Sequence, residues 1–328
     1  MIYPKFLKAG DTIGICAPSA GVGHKIEEFD KSLNNLRKEG YQIIETASVR
    51  NDSMPSNIPE IRGKEFNELL NDKKIDMIWS ASGGDFMIEV LDFVDEEALI
   101  KNPKWFAGYS DPTSLLFHIT TNFDIATIYG NNAGSFDMTN LHPSLKNALK
   151  ILKGDIVKQE SFEKCERVSV DSLDGYNLDT EVHWKTPNGE VDITGRLIGG
   201  CIDCLSFIIG TKYDGTAKFV EKYKDDGIIW YFDNFALKSE DLFNSLWHMK
   251  QAGWFKYAKG FVFGRTLFEG TMLDLSYEDA IKRSLGEEIP IVMDADIGHV
   301  APKFTVINGA FGHVLANEGK GSLKMELI

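Results

Sequence analysis

Along the first 135 residues, short apolar runs alternate with stretches whose apolar residues recur every three or four positions. Thr12-Ile13-Gly14-Ile15-Cys16-Ala17 reads as a buried strand, stopped by Pro18-Ser19-Ala20-Gly21. Residues 25–39 place Ile26, Phe29, Leu33 and Leu36 at helical spacing, and Gly40 is a helix stop. Tyr41-Gln42-Ile43-Ile44 is a second strand. Residues 59–72 form a further amphipathic helix, residues 75–80 a third strand and residues 86–100 another helix, leading to the strand Trp105-Phe106-Ala107-Gly108. Strand and helix alternating with short joints predicts an α/β fold with a doubly wound, mainly parallel sheet. Ligands of such sheets bind beyond the carboxyl ends of the strands. Two loops fall there: Ser82-Gly83-Gly84-Asp85 and Gly108-Tyr109-Ser110-Asp111.

Beyond residue 135 the pattern loosens. One helix is expected within SFDMTNLHPSLKNALKILKGD, and 155–192 is polar and mixed, with strand-like pieces such as Glu181-Val182-His183-Trp184. The segment 136–192 is therefore read as a connection between an N-terminal domain, 1–135, and a C-terminal α/β domain, 193–328. The latter holds two strong strands, 227–232 and 260–264, with a helix around 238–252 between them. A chain of 328 residues is long for one core, which agrees with two domains.

Composition narrows the function classes. Hydrophobic residues make up 43% and charged residues 26%, as in soluble globular proteins. The formal net charge is -14, which argues against non-specific nucleic-acid or anionic-membrane binding. No apolar run is long enough to span a membrane, and the start lacks a secretion-signal layout, so a cytoplasmic location is expected. Of the four cysteines, Cys201 and Cys204 form a CxxC. Zinc or thiol chemistry is one reading of that pair and buried thiols the other; Cys16 and Cys165 are isolated, so no second close pair of ligands is present.

The segment around Ser110 carries the candidate chemistry. Asp111 is expected as a helix N-cap with Pro112 at the first helical position, which puts Ser110 at a strand-to-helix corner. Two readings fit: a plain capped helix start, or a nucleophile whose oxyanion faces unpaired backbone N–H groups. The match to G-x-S-x-G is half complete, with Pro112 in place of the last glycine. A nucleophilic serine needs a base and an orienting acid. Among seven histidines, His299 stands apart, because a buried strand from Ile289 to Met293 runs into an acidic loop presenting Gly298-His299. For the acid, five apolar residues run straight into Asp233. A surface loop for His299 and helix capping or solvation for Asp233 are the bland alternatives. A dinucleotide-binding oxidoreductase is disfavoured, since no G-x-G-x-x-G follows the first strand.

Taken together these segments resemble the serine peptidase family of the LD-carboxypeptidases (muramoyltetrapeptide carboxypeptidases) and the microcin C self-immunity proteins. The resemblance runs through Phe6 to Gly14 with Ala17-Pro18-Ser19, the Gly83-Gly84 pair and Asn102 to Asp111. It continues through Gly195 to Gly200 with Gly210-Thr211, and Gly298-His299 with Pro302, Thr305 and Gly309. It implies a Ser-acid-His triad split between two domains, with Ser110 as nucleophile, His299 as general base, and the backbone N–H groups of Gly84 and Asp111 as oxyanion hole. Asp233 stands where the family carries glutamate, Ser82 where many carboxypeptidases carry arginine, and Cys201 where asparagine is frequent. Gly83 and Asp85 are expected at the substrate, and Arg265 as the cation for a substrate carboxylate. The resemblance implies a small peptide or aminoacyl-nucleotide substrate, no metal or other cofactor, and a homodimer. A binding protein with a decayed triad is the alternative class.

Overall fold

Buried apolar runs in the first 155 residues do become the parallel strands of one sheet. In the computed structural model, which describes residues 1–170, 174–268, 270–272 and 274–328, the chain divides into two units, Met1–Asp155 and Ile156–Ile328. The segment expected as a connection, 136–192, is thus shared: a helix at Pro143–Leu152 belongs to the first unit, and the short strands after Ile156 to the second. Residues 171–173 of that segment lie outside the described residues.

The first unit runs β1 (Thr12–Cys16), α1 (Ile26–Lys38), β2 (Gln42–Glu45), α2 (Pro59–Asn71), β3 (Met77–Ser80), α3 (Glu96–Lys101), β4 (Trp105–Gly108), α4 (Thr113–Phe123), β5 (Thr127–Tyr129) and α5 (Pro143–Leu152). These five strands pair in the order β2-β1-β3-β4-β5, all parallel. Every residue of β1, β3 and β4 is buried, as expected of strands covered on both faces; the edge strand β2 alternates. The helices face the sheet with one stripe, such as Phe29, Leu33 and Leu36 of α1. Chain order reverses at β1, whose neighbours are β2 and β3. The loops after β1 and β3 therefore flank a switch point, where α/β sheets hold ligands. The helix expected over 86–100 is two pieces, a 3-10 helix at Met87–Phe93 and then α3. Asp95 makes the break: its side chain accepts the Ala98 N–H at 3.0 Å and caps α3.

In the second unit come β6 (Gln159–Glu160), β7 (Lys164–Cys165), β8 (Thr180–Glu181), β9 (Val191–Cys201), α6 (Ile202–Ile208), α7 (Thr216–Lys222), β10 (Ile228–Asp233), α8 (Ser239–Gln251), β11 (Ala258–Gly264), α9 (Tyr277–Leu285), β12 (Ile291–Ala295), β13 (Val306–Asn308), β14 (Phe311–Asn317) and β15 (Lys320–Glu326). A mixed sheet runs β12-β11-β10-β9-β14-β15-β6. The first four strands are parallel; β14, β15 and β6 are antiparallel to their neighbours. β9 is long enough to pair with β10 through Arg196–Cys201 and with β14 through Val191–Arg196. All of β10 is buried, and Trp230 stacks on Trp254 with centroids 5.3 Å apart. The pairing of β10 sets its carboxyl end, Asp233, beside Cys201.

Candidate active site

Ser110 occupies a backbone conformation that few non-glycine residues adopt. Its φ is 67°, in the left-handed region, between the end of β4 and the start of α4. Such a conformation costs about 1–3 kcal/mol and persists only where surrounding contacts enforce it. Those contacts are specific. The Tyr109 N–H donates to Asn132 Oδ1 at 3.1 Å, and the Thr113 N–H closes the turn onto the Ser110 carbonyl at 2.9 Å. Asp111 is not the N-cap expected from sequence. Pro112 holds that position, and the buried Asp111 carboxylate accepts the Ser19 hydroxyl and, at 2.8 Å, the Met87 N–H. It therefore ties the serine corner to the loops after β1 and β3. Burial pushes its carboxyl above the usual carboxylate range, against the lowering effect of the two hydrogen bonds.

The glycine pair lies alongside. A Cβ on Gly83 would stand 3.2 Å from Ser110 Oγ. Gly84 has φ +144°, and a Cβ there would overlap Ser19 Oγ, so this turn requires glycine. The Ala20 N–H donates to the Gly83 carbonyl at 2.9 Å, linking the two loops of the switch point. Asp85 is exposed at the end of this loop. The sequence-predicted residues of the first unit, Gly83, Gly84, Asp85, Ser110 and Asp111, thus share one end of its sheet.

In the second unit, Asp233 and His299 meet. His299 Nδ1 lies 2.8 Å from Asp233 Oδ2, and the His299 backbone N–H donates to Asp233 Oδ1 at 3.3 Å. The carboxylate is fully buried and the imidazole is 9% exposed. Gly298 permits this contact. With φ +100° it turns the loop so closely onto the carboxylate that a Cβ would overlap Asp233 Oδ1. A carboxylate on Nδ1 favours the neutral tautomer that carries its proton there, which leaves Nε2 as the acceptor. The Phe235 ring packs against the imidazole, tilted by 46° with centroids 4.7 Å apart.

Arg265 requires a correction. It was expected to face a substrate carboxylate, yet it is 2% exposed. Its guanidinium donates to Asp296 Oδ1 at 2.6 Å, to the Val300 carbonyl at 3.1 Å and to the Pro302 carbonyl at 2.8 Å. All three partners flank His299, so Arg265 anchors the histidine loop. Asp296 also accepts the Trp184 indole N–H at 2.8 Å; burial raises its carboxyl even so, with Arg265 as the main opposing influence. Arg265→Met should leave Asp296 buried without its cation. We expect a loss of about 3–5 kcal/mol in urea denaturation, the usual cost of removing one partner of a buried pair.

The CxxC pair is two free thiols, Cys201 buried and Cys204 half-buried. The Cys204 thiol and burial together push the Cys201 thiol well above its ordinary range. Among the described residues, no three His, Cys, Asp or Glu side chains gather as a metal site. Sequence reading missed Ser19, Asn132 and Phe235, whose contacts join residues far apart in the chain.

In the first unit Ser110 thus stands at a strand-to-helix corner, and in the second unit His299 stands against the Asp233 carboxylate at the end of β10. The LD-carboxypeptidase N-terminal domain matches residues 13–130 and the LD-carboxypeptidase C-terminal domain matches residues 194–314, so the chain belongs to the LD-carboxypeptidase family. A Vibrio cholerae protein named as a carboxypeptidase is 25% identical over 332 residues, covering 96% of this chain and 95% of that one. The microcin C7 self-immunity protein MccF of Escherichia coli is 28% identical over 242 residues, covering 66% and 67%. A solved structure of MccF in complex with glutamyl sulfamoyl guanosine superposes with a TM-score of 0.81 at 23% identity, covering 99% and 98%. The muramoyltetrapeptide carboxypeptidase of Oxalobacter formigenes does so with a TM-score of 0.75 at 20% identity, covering 96% and 99%. The mixed α/β, two-domain fold is shared with these structures. No described helix is long and apolar enough to cross a membrane.

Proposed function

We propose that this chain is a serine hydrolase in which Ser110 is the nucleophile, His299 the general base and Asp233 the acid that orients it. The observation that carries the reading is the 2.8 Å contact of His299 Nδ1 with a fully buried Asp233 carboxylate. A decayed triad would not need Gly298 to bring the loop onto the shorter side chain, and this supports turnover over mere binding.

The chemistry follows from those roles. Ser110 Oγ bonds to the substrate carbonyl carbon as His299 Nε2 takes the hydroxyl proton. Negative charge moves to the carbonyl oxygen, where the backbone N–H groups of Gly84 and Asp111 are assigned as donors. The C–N bond then breaks, and the proton on Nε2 passes to the departing amine. Water attacks the acyl-serine, His299 removes its proton, and the acid product leaves with Ser110 restored. Asp233 stabilises the imidazolium at both stages.

Two substrate classes fit this bond cleavage: muramoyl tetrapeptides losing a terminal D-alanine, and aminoacyl conjugates of nucleotides cut at the acyl bond. Arg265 is engaged within the fold, and the rings of Phe235 and Phe268 are part-exposed near His299. Both features favour the conjugate. Incubation with a muramoyl tetrapeptide and, separately, an aminoacyl sulfamoyl adenosine, followed by product mass spectrometry, tests the choice. Release of amino acid from the second substrate alone is expected; loss of D-alanine alone would transfer the assignment to cell-wall peptides. Turnover of neither would overturn the hydrolase reading. Asp233→Glu should lower kcat by about tenfold or more, because Gly298 already approaches the Asp233 carboxylate so closely that a Cβ there would overlap Oδ1. An increase would mark the aspartate as a lesion. A homodimer acting in the cytoplasm, as the family resemblance implies, completes the proposal.

A further inference from the structure

Asp203 stands away from the proposed triad, yet its carboxylate is committed to the loop beside it. It is the second residue of α6, half-buried, two residues after the Cys201 that pairs with Asp233 across the sheet. Oδ2 accepts the Phe235 N–H at 2.9 Å, 32 residues downstream, and Oδ1 accepts the Ala236 N–H at 3.0 Å. These are the second and third residues after Asp233. Asn234 closes the same turn by exchanging two hydrogen bonds with Leu237, each 3.0 Å. On the far side the Phe235 carbonyl accepts the Phe268 N–H at 3.3 Å, and the two rings meet edge-on at 5.3 Å.

We infer that Asp203 is a positioning residue for His299, acting through Phe235. An imidazole used as a base has an edge and a face to be restrained. The edge is held by Asp233 at Nδ1. The Phe235 ring packs against the imidazole at a 46° tilt, and that ring is only as fixed as its backbone. A carboxylate can take two N–H donors at once, whereas an amide offers one acceptor oxygen and sets an NH2 against the second donor. Aspartate is thus the side chain this turn requires, and hydrogen bonds to a charged acceptor are the stronger kind. Sulfur adds a third contact, with Cys201 Sγ 3.5 Å from Oδ2. Asp203 itself touches no reacting atom; its effect passes from the turn to the ring and from the ring to the imidazole.

The test reads the imidazole directly and needs no substrate. Nitrogen-15 shifts of the His299 ring, assigned through His299→Gln, report which nitrogen carries the proton at a fixed alkaline pH. Wild-type protein should show the proton on Nδ1. Asp203→Asn and Phe235→Leu should both move the shifts toward a mixture of tautomers, and the double variant should move them no further than either alone. Phe235→Leu changes no charge, so a shift in Asp203→Asn without one in Phe235→Leu would mean a bare charge effect and overturn the inference. Unchanged shifts in Asp203→Asn would do the same. If Asp203→Asn does not fold, Phe235→Leu decides whether the ring restrains the imidazole. A kinetic arm rests on the proposed hydrolase reading: Asp203→Asn should lower kcat by about tenfold with KM within about twofold, the pattern of a misplaced base. Failure of wild type to hydrolyse either substrate would remove only this arm.

Discussion

Ser110→Ala should lower kcat/KM by about four orders of magnitude or more while leaving the melting temperature unchanged or raised. The size follows from the roles of a triad: without the nucleophile no acyl-enzyme forms, and only binding and oxyanion stabilisation remain. The stability result follows from the backbone. Ser110 sits at φ 67°, held there by the Asn132 and Thr113 contacts and by Asp111 beneath it. Those contacts run through the backbone and through neighbouring side chains, all of which alanine keeps. A glycine at the same position should relieve the strain and raise stability by about 1 kcal/mol, again without activity. Kinetics with the cleaved substrate, alongside thermal unfolding of both variants, checks the pair of effects. Activity within tenfold of wild type in the alanine variant would remove Ser110 from the mechanism.

Gly298→Ala should be nearly as damaging, though no reacting atom is touched. A methyl group at that position overlaps Asp233 Oδ1, and the φ of +100° is one that side chains rarely adopt. The carboxylate and the loop cannot both stay. Because Asp233 is buried within β10 and flanked by its neighbours, the loop is the part that yields, and His299 Nδ1 leaves the carboxylate. Loss of an orienting acid in a triad costs about four orders of magnitude in kcat, so a drop of about three to four is expected here. The strain adds about 1–2 kcal/mol of destabilisation in urea denaturation. A variant with normal kcat would mean that the close approach of Gly298 to Asp233 is dispensable.

How much of this could be read from the residues alone depends on the range of the interaction. β1, β3 and β4 were legible because a strand buried on both faces is apolar without interruption, and Pro18 marked the stop after β1. Ser110, Asp233 and His299 stand out as candidates because each follows such a run, and the structure brings Asp233 and His299 together. Arg265 was misread because an arginine after a buried strand looks alike whether it faces a ligand or a buried aspartate 31 residues on. Asp111 was misread because N-cap chemistry is local, whereas its carboxylate reaches Ser19 across 92 residues. The 86–100 helix was split by Asp95, a cap hidden inside an amphipathic pattern. Phe235 gave no signal at all: an aromatic residue after a strand is ordinary, and only the fold brings it onto His299.

The most direct test of the whole account is the mass of the protein during turnover. Wild-type enzyme mixed with its hydrolysable substrate, acid-quenched within milliseconds and digested, should yield the peptide containing Ser110 with the acyl group of the substrate attached. The Ser110→Ala protein treated alike should carry no adduct. Product formation with Ser110 unmodified at every quench time, or an adduct on another residue, would contradict the account.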